Sequence, residues 1–203
     1  VLNGLNEQMI VDIRDALNES DGNPEVKAVI ITGSGKAFCS GADLSQAGDQ
    51  SSPDTVQLSP GDYIANFMYE QTNPLILEIT RHRKPIIGAV NGTVAGGGVG
   101  LALAPDIVIA SRSASFVQVF GPQLGIVPDM GTTWFLPRLI GHARSMALAL
   151  TGDKLSAEKA SEWGLIWKCV DDDELMDECF NLAEKLAGGP PLVYPYMKRV
   201  FSQ

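Results

Sequence analysis

One stretch constrains this chain more than any other: Asn91-Gly92-Thr93-Val94-Ala95-Gly96-Gly97-Gly98-Val99-Gly100-Leu101. It follows a β-branched run, Ile86 to Val90, and leads into Leu101-Ala102-Leu103. A strand must turn into a helix here through backbone that carries almost no side chains. The first N–H groups of a helix have no intrahelical acceptor, so bare backbone at that point can receive a negative oxygen. The other use of such glycines is a tight packing contact between strand and helix. A dinucleotide fingerprint is not met, because Gly96 and Gly98 are followed by Leu101 where the third glycine belongs.

A second glycine turn, Thr32-Gly33-Ser34-Gly35-Lys36-Ala37-Phe38-Cys39-Ser40-Gly41-Ala42-Asp43-Leu44, follows another β-branched run, Val26 to Thr32. As a phosphate loop it fails: Ile30 stands where the leading glycine is needed, and Ala37 follows the lysine. It holds no Gly-x-Ser-x-Gly elbow for a nucleophilic serine either. A third run, Ile107 to Ala110, completes the visible strands, and the segments between them have helical spacing. The pattern predicts an α/β fold built from βα units with a mostly parallel sheet. The chain opens with an amphipathic helix through Leu5, Met9, Ile13 and Leu17, stopped at Asp21-Gly22-Asn23-Pro24. Its 203 residues, 45% of them hydrophobic, fit one domain with a large core.

Charge and cysteine usage exclude whole classes of function. A net charge of −9 does not suit a phosphate-backbone binder, so nucleic acid is not expected as a partner. The run Arg81-His82-Arg83-Lys84 before Pro85 reads as cations at a helix C-terminus. Cys39, Cys169 and Cys179 are odd in number and irregular in spacing, and His82 and His142 lie far from them. No disulfide framework and no metal site are expected, and the compartment predicted is the reducing cytoplasm. No membrane span or signal peptide is visible. A start at Val1 without methionine predicts that the true N-terminus is absent. Polar, aperiodic Gln46 to Pro60 is predicted to be a loop, either a connection or a functional lid. Ser156 is expected to cap a helix ended by Gly164, and Asp171 to Glu174 to complement the dipole of one ending near Gly188.

Carboxylates are scarce around the main glycine turn. From Gly92 through Pro128 there is only Asp106; Asp129 comes next, after a proline and before a predicted helix. Asp129 is a helix cap on one reading. On the other it is the single base that enolate chemistry requires beside oxyanion donors.

Three segments, KAFCSGADL (Lys36 to Leu44), KPIIGAVNGTVAGGGVGLALAPDIVIAS (Lys84 to Ser111) and LGIVPDMGTTWFLPRLIG (Leu124 to Gly141), resemble the crotonase superfamily in order and spacing. That superfamily comprises the enoyl-CoA hydratases and isomerases. The likeness continues through Ala143 to Val170, and Asp129, Trp134 and Glu162-Trp163-Gly164 resemble its ring-epoxide isomerase branch. It implies a crotonase spiral of ββα units over residues 1–140 and a helical C-terminal region over 141–203, without the family's first strands and terminal helices. It also implies that the backbone N–H groups of Ala42 and Gly97 hold a thioester oxyanion while Asp129 moves a proton. Ser40, Gly41, Asp43 and Leu44 would flank the coenzyme A path and Lys36 its phosphates. Phe38, Gly96, Gly98 and Pro128 would complete the substrate site, and Val94, Phe120, Met130 and Trp134 would enclose the acyl group. Coenzyme A would enter as part of an acyl-CoA substrate with no separate cofactor, and the expected assembly is a homotrimer or hexamer, for which the apolar C-terminal residues Tyr194, Tyr196, Val200 and Phe201 could supply an interface or simply core.

The departures decide the reaction expected. Hydratases of the family place two glutamates around a water, and this chain has Gly100 and Gly121 at the corresponding positions. The expectation is therefore an isomerase with one carboxylate. The alternatives are a hydratase that recruits Glu70 or Asp62, and a non-catalytic acyl-CoA binder.

Overall fold

The computed structural model describes residues 2–43 and 59–201. Leu44 and all but the last two residues of the predicted loop Gln46 to Pro60 fall outside that range.

Helix α1, Glu7–Gly22, starts where Asn6 accepts the Met9 N–H at 2.9 Å, and it buries Ile10 and Leu17. Three ββα turns follow. The first is β1 (Val29–Thr32), β2 (Ala37–Cys39) and the helices α2 (Pro60–Phe67) and α3 (Asn73–Arg81), joined through a π-helical turn at Met68–Thr72. The second is β3 (Ile86–Val90), β4 (Thr93–Ala95) and α4 (Gly97–Leu103). The third is β5 (Ile107–Ser111), β6 (Ser115–Val117) and α5 (Thr132–Thr151), which changes direction at Gly141. β7 (Leu155–Ser156), α6 (Ala157–Trp163), β8 (Lys168–Val170), α7 (Leu175–Ala187) and α8 (Tyr194–Phe201) complete the chain.

First strands of the turns pair with one another in the order β1-β3-β5-β8, all parallel; second strands pair in the order β2-β4-β6-β7, with only β7 antiparallel. The parallel sheet expected from the long strands is thus one of two, and the second is made of strands only two or three residues long. β3 is buried at all five positions, as its unbroken apolar run requires of a strand covered on both faces. One core cluster extends from Leu5 to Ile166, and a second lies under α7, where Leu175 and Cys179 meet Ile87, Ala89 and Ile109. Each fully buried Ile, Leu or Val contributes roughly 1.5–3 kcal/mol.

Several local expectations change. The first strand begins at Val29 rather than Val26, because the Val26 N–H donates back to Asn23 O at 3.2 Å instead of entering the ladder. It is only partly buried. In the basic run, Arg81 does end α3, but Lys84 and Arg83 serve the end of α1: Lys84 donates to Ser20 O and Asn23 O, and Arg83 to Asp21. Ser156 caps α6 as predicted, accepting the Lys159 N–H at 3.2 Å, and Gly164 ends it with φ 80°. The acids before α7 do more than face a dipole, since Asp171 accepts from Arg112 and Asp172 from the Ser113 N–H. Ser59 and Pro60, the end of the predicted loop, begin α2. Tyr194 is half-buried, whereas Tyr196, Val200 and Phe201 are exposed rather than core. Among the described residues no helix is long and apolar enough to cross a membrane.

Candidate active site

The N-terminus of α4 is where separate parts of the chain converge, and its missing side chains are what allow it. Gly96 reverses the backbone at φ 54°, tied to β6 by its N–H to Val117 O at 3.1 Å. A Cβ on Gly98 would stand 2.6 Å from Cys39 O, at the end of β2. A Cβ on Gly97 would stand 2.7 Å from Met130 Sδ and 3.2 Å from Asp129 Oδ1. A Cβ on Gly100 would stand only 2.0 Å from Met130 O. Real Cβ atoms do not approach backbone so closely, so positions 98 and 100 require glycine, whereas at Gly97 the neighbours are the ends of the Met130 and Asp129 side chains. Of the two uses expected for this turn, tight packing is certainly one; it also leaves Gly97 N–H in the first helical turn, where no intrahelical acceptor exists.

The other amide sits on the segment after β2. Leu5 N–H donates to Gly41 O at 2.8 Å, and Asp43 N–H donates to Leu5 O at 2.8 Å. In a parallel ladder this leaves the N–H of Ala42, between them, pointing away from Leu5. Gly41, with φ 92°, lies against the α4 turn: a Cβ there would be 3.6 Å from Gly97 N. Residues 41–42 and 96–97, far apart in sequence, are thus neighbours.

Asp129 completes the group. Its helix-capping alternative does not hold, because the N-cap of α5 is Gly131, with φ 77° and no side-chain cap. The Asp129 backbone carbonyl, not its carboxyl, accepts from Thr132 N–H at 3.0 Å and Thr132 Oγ1 at 2.5 Å. Asp129 Oδ1 is buried without a hydrogen-bond partner among the described residues. Burial pushes this carboxyl up to about 6, opposed only by its own backbone N–H. Charged carboxylates left dry in this way shift towards the neutral form. The result is a group that titrates in the range a proton shuttle needs.

The remaining predicted site residues divide between surface, core and a neighbouring cleft. Lys36 and Ser40 are exposed, and Asp43 is partly so. Phe38, Val94 and Phe120 are 3%, 0% and 3% exposed, and Phe38 and Val94 belong to the main core cluster. Gly96 and Gly98 are buried in the turn, Pro128 is half-buried, and Met130 is 3% exposed. Trp134 is 47% exposed beneath the Arg138 guanidinium, 3.0 Å from the ring centroid. It lines a cleft of about 750 Å³ between α3, α5 and α8 that also takes in Ile76, Phe135 and Phe201. The cleft reaches Gly131 but includes neither Asp129 nor Gly97, so it lies beside this group of residues, not over it.

At both positions where the resemblance would place a second acid, a larger side chain would need its backbone neighbours to shift. Gly100 has no room, and Gly121 is exposed in the π-helical turn Phe120–Leu124, where a Cβ would meet Ala149 O at 2.9 Å. The proposed substitutes are elsewhere engaged or open to water: Asp62 exchanges hydrogen bonds with Ser59 at the start of α2, and Glu70 is exposed. Sequence reasoning named Met130 only as an apolar wall. It missed that Met130 has φ 49°, a left-handed conformation that costs a non-glycine residue of order 1 kcal/mol. The glycines at 97 and 100, one helical turn apart and so on one face, were the available signal.

Comparison with known proteins agrees in sequence and in structure. A family profile described as Enoyl-CoA hydratase/isomerase matches residues 1–203. The 1,2-epoxyphenylacetyl-CoA isomerase of Escherichia coli (strain K12) is 43% identical over 189 residues, which is 93% of this chain and 70% of that protein. A probable enoyl-CoA hydratase of Rhodobacter capsulatus is 40% identical over 201 residues, 99% of this chain and 73% of the relative. Among solved structures, an enoyl-CoA hydratase from Bacillus anthracis superposes with a TM-score of 0.87 at 32% identity, covering 98% of this chain and 74% of that one. The paired sheets with helices in between are the crotonase fold.

Proposed function

The chain belongs to the enoyl-CoA hydratase/isomerase family, and on that premise we propose that it is an acyl-CoA isomerase working with one carboxylate. The observation that carries this reading is Asp129 Oδ1, buried, lying against Gly97 and without a hydrogen-bond partner among the described residues, in a site where position 100 has no room for a second acid.

In the proposed reaction the thioester oxygen docks between the N–H groups of Ala42 and Gly97. Each preorganised donor is worth roughly 3 kcal/mol to a developing oxyanion. Stabilising the enolate acidifies the neighbouring C–H bonds, and Asp129 takes a proton from one carbon and returns it to another, so that a double bond migrates. The E. coli relative's name adds a ring epoxide next to the thioester as a second substrate class for the same machinery. Lys36, exposed in the turn before β2, would meet the coenzyme A phosphates in this reading.

The test is a panel of enoyl-CoA and epoxide-bearing acyl-CoA thioesters, with double-bond position read by NMR and product mass by mass spectrometry. Isomers of unchanged mass are expected. Products heavier by one water, with loss of the conjugated thioester absorbance of crotonyl-CoA, would overturn the isomerase reading in favour of a hydratase.

A further inference from the structure

We infer that Met130 is a positioning residue: its left-handed backbone, clamped on the bare face of α4, sets where the Asp129 carboxyl sits above Gly97. The inference rests on the proposed role of Asp129 and goes further in naming what holds it.

Three contacts carry it. The Met130 carbonyl lies where any side chain on Gly100 would be, at 2.0 Å from an added Cβ, and Met130 Cβ is 2.7 Å from the same point. The Met130 thioether covers Gly97 one turn earlier on the same helix face. Met130 is 3% exposed and is followed by Gly131 with φ 77°, so two successive left-handed residues reverse the chain into α5. A conformation disfavoured in an L-residue persists only where its surroundings over-determine it. Here those surroundings are the two glycines of α4. Asp129 directly precedes this clamp, and its Oδ1 has no hydrogen-bond partner among the described residues to locate it. The clamp therefore does the locating, and the thioether helps keep the carboxyl dry. Among the described residues no charged side chain contributes to the upward shift of Asp129; burial does, offset by its own backbone N–H.

Two substitutions attack the clamp from opposite sides. Met130→Ala strips the thioether, and Gly100→Ala pushes the Met130 carbonyl away without altering Met130. Displacing a reacting group by about 1 Å can cost ~100-fold. Each variant should lower kcat ~10- to 100-fold with KM changed less than ~3-fold, while Met130→Leu, which keeps the buried volume, should stay near wild type. The Asp129 carboxyl, followed by ¹³C NMR and assigned by its disappearance in Asp129→Asn, should titrate lower than in the wild type in both Ala variants. That titration reads the clamp without activity, so it remains informative even if Asp129→Asn turns out fully active and the isomerase reading fails. Should Met130→Ala not fold, Gly100→Ala carries the test. Wild-type titration and kcat in whichever variants fold would overturn the inference, as would a Met130→Leu variant as impaired as Met130→Ala.

Discussion

Two aspartates, Asp106 and Asp129, flank the buried helix α4, and both are pushed upward by burial. What surrounds them differs. Asp106 accepts the Ile86 N–H at 2.8 Å, returns its own backbone N–H to Ile86 O at 2.9 Å, and pairs with Lys198 at 2.9 Å. It ties the start of β3 to the start of β5 and anchors α8. Asp129 Oδ1 has no such partner among the described residues and faces the bare end of the helix. A raised carboxyl is therefore not by itself the mark of a functional one. In Asp106 a lysine and the Ile86 amide offset the cost of covering the charge; in Asp129 only its own backbone N–H does, and the cost left over is what raises it to about 6.

Breaking Asp129 should have the largest effect, and on activity. Asp129→Asn keeps the shape but cannot accept a proton, so kcat should fall ~10²- to 10⁴-fold in the thioester isomerisation assay. Its folded state should be no less stable. Full activity in that variant would remove Asp129 from the mechanism.

The next effect is on stability and depends on pH. The folded carboxyl of Asp129 titrates at about 6, above the ~3.9 of an unfolded aspartate, so the folded state binds more protons in between. Its contribution to stability is full below pH ~4 and is lost as pH rises through about 6. Wild type and Asp129→Asn should match near pH 4 and diverge by up to about 3 kcal/mol above pH ~6, with the Asn variant the more stable. Denaturant titrations at both pH values measure this, and a constant difference would mean the carboxyl is not held dry. Activity should run the other way, rising through pH ~6 as the base ionises.

Asp106→Ala should show the reverse profile to Asp129→Asn. It leaves Lys198 and the Ile86 N–H without their acceptor, but the Asp106 side chain is 25% exposed and water can replace part of it. A loss of about 1.5 kcal/mol is expected in urea unfolding, with kcat of the folded enzyme unchanged. A kcat loss as large as that of Asp129→Asn would mean the two carboxylates are not separate in role.

How much of this could be read from the residues varies with the length of the signal. β3 and β5 are five-residue β-branched strands, visible as such, and the glycine turn before α4 was visible because three consecutive glycines have few other uses. β2, β4 and β6 are three residues each, too short to show a period, so the second sheet was foreseen only through the family resemblance. Asp129 was recognisable as the lone acid after a carboxylate-free stretch, yet its contact with Gly97 is a tertiary fact. Met130 in the left-handed region carries no local signature, since methionine does not favour that conformation. The Asp106 pairing with Lys198 was invisible for the same reason: nothing near either residue predicts the other.

The smallest change separates the two bonds that Asp106 makes. Asp106→Asn keeps an oxygen that can accept the Ile86 N–H but removes the charge facing Lys198. If the backbone clip between β3 and β5 is the main contribution, the loss should be only about 0.5 kcal/mol, the scale of a partly exposed ion pair, and it should shrink further in high salt. If instead the Lys198 pair dominates, Asp106→Asn should cost as much as Asp106→Ala, and α8 should be the first element to gain amide exchange. Lys198 also lies 3.4 Å from Lys84 O and 3.5 Å from Ile79 O, so it retains weak acceptors when the carboxylate is neutralised. That fallback is why the smaller loss is expected, and why Asp106 behaves as a structural clip while Asp129, with no hydrogen bond at Oδ1 among the described residues, does not.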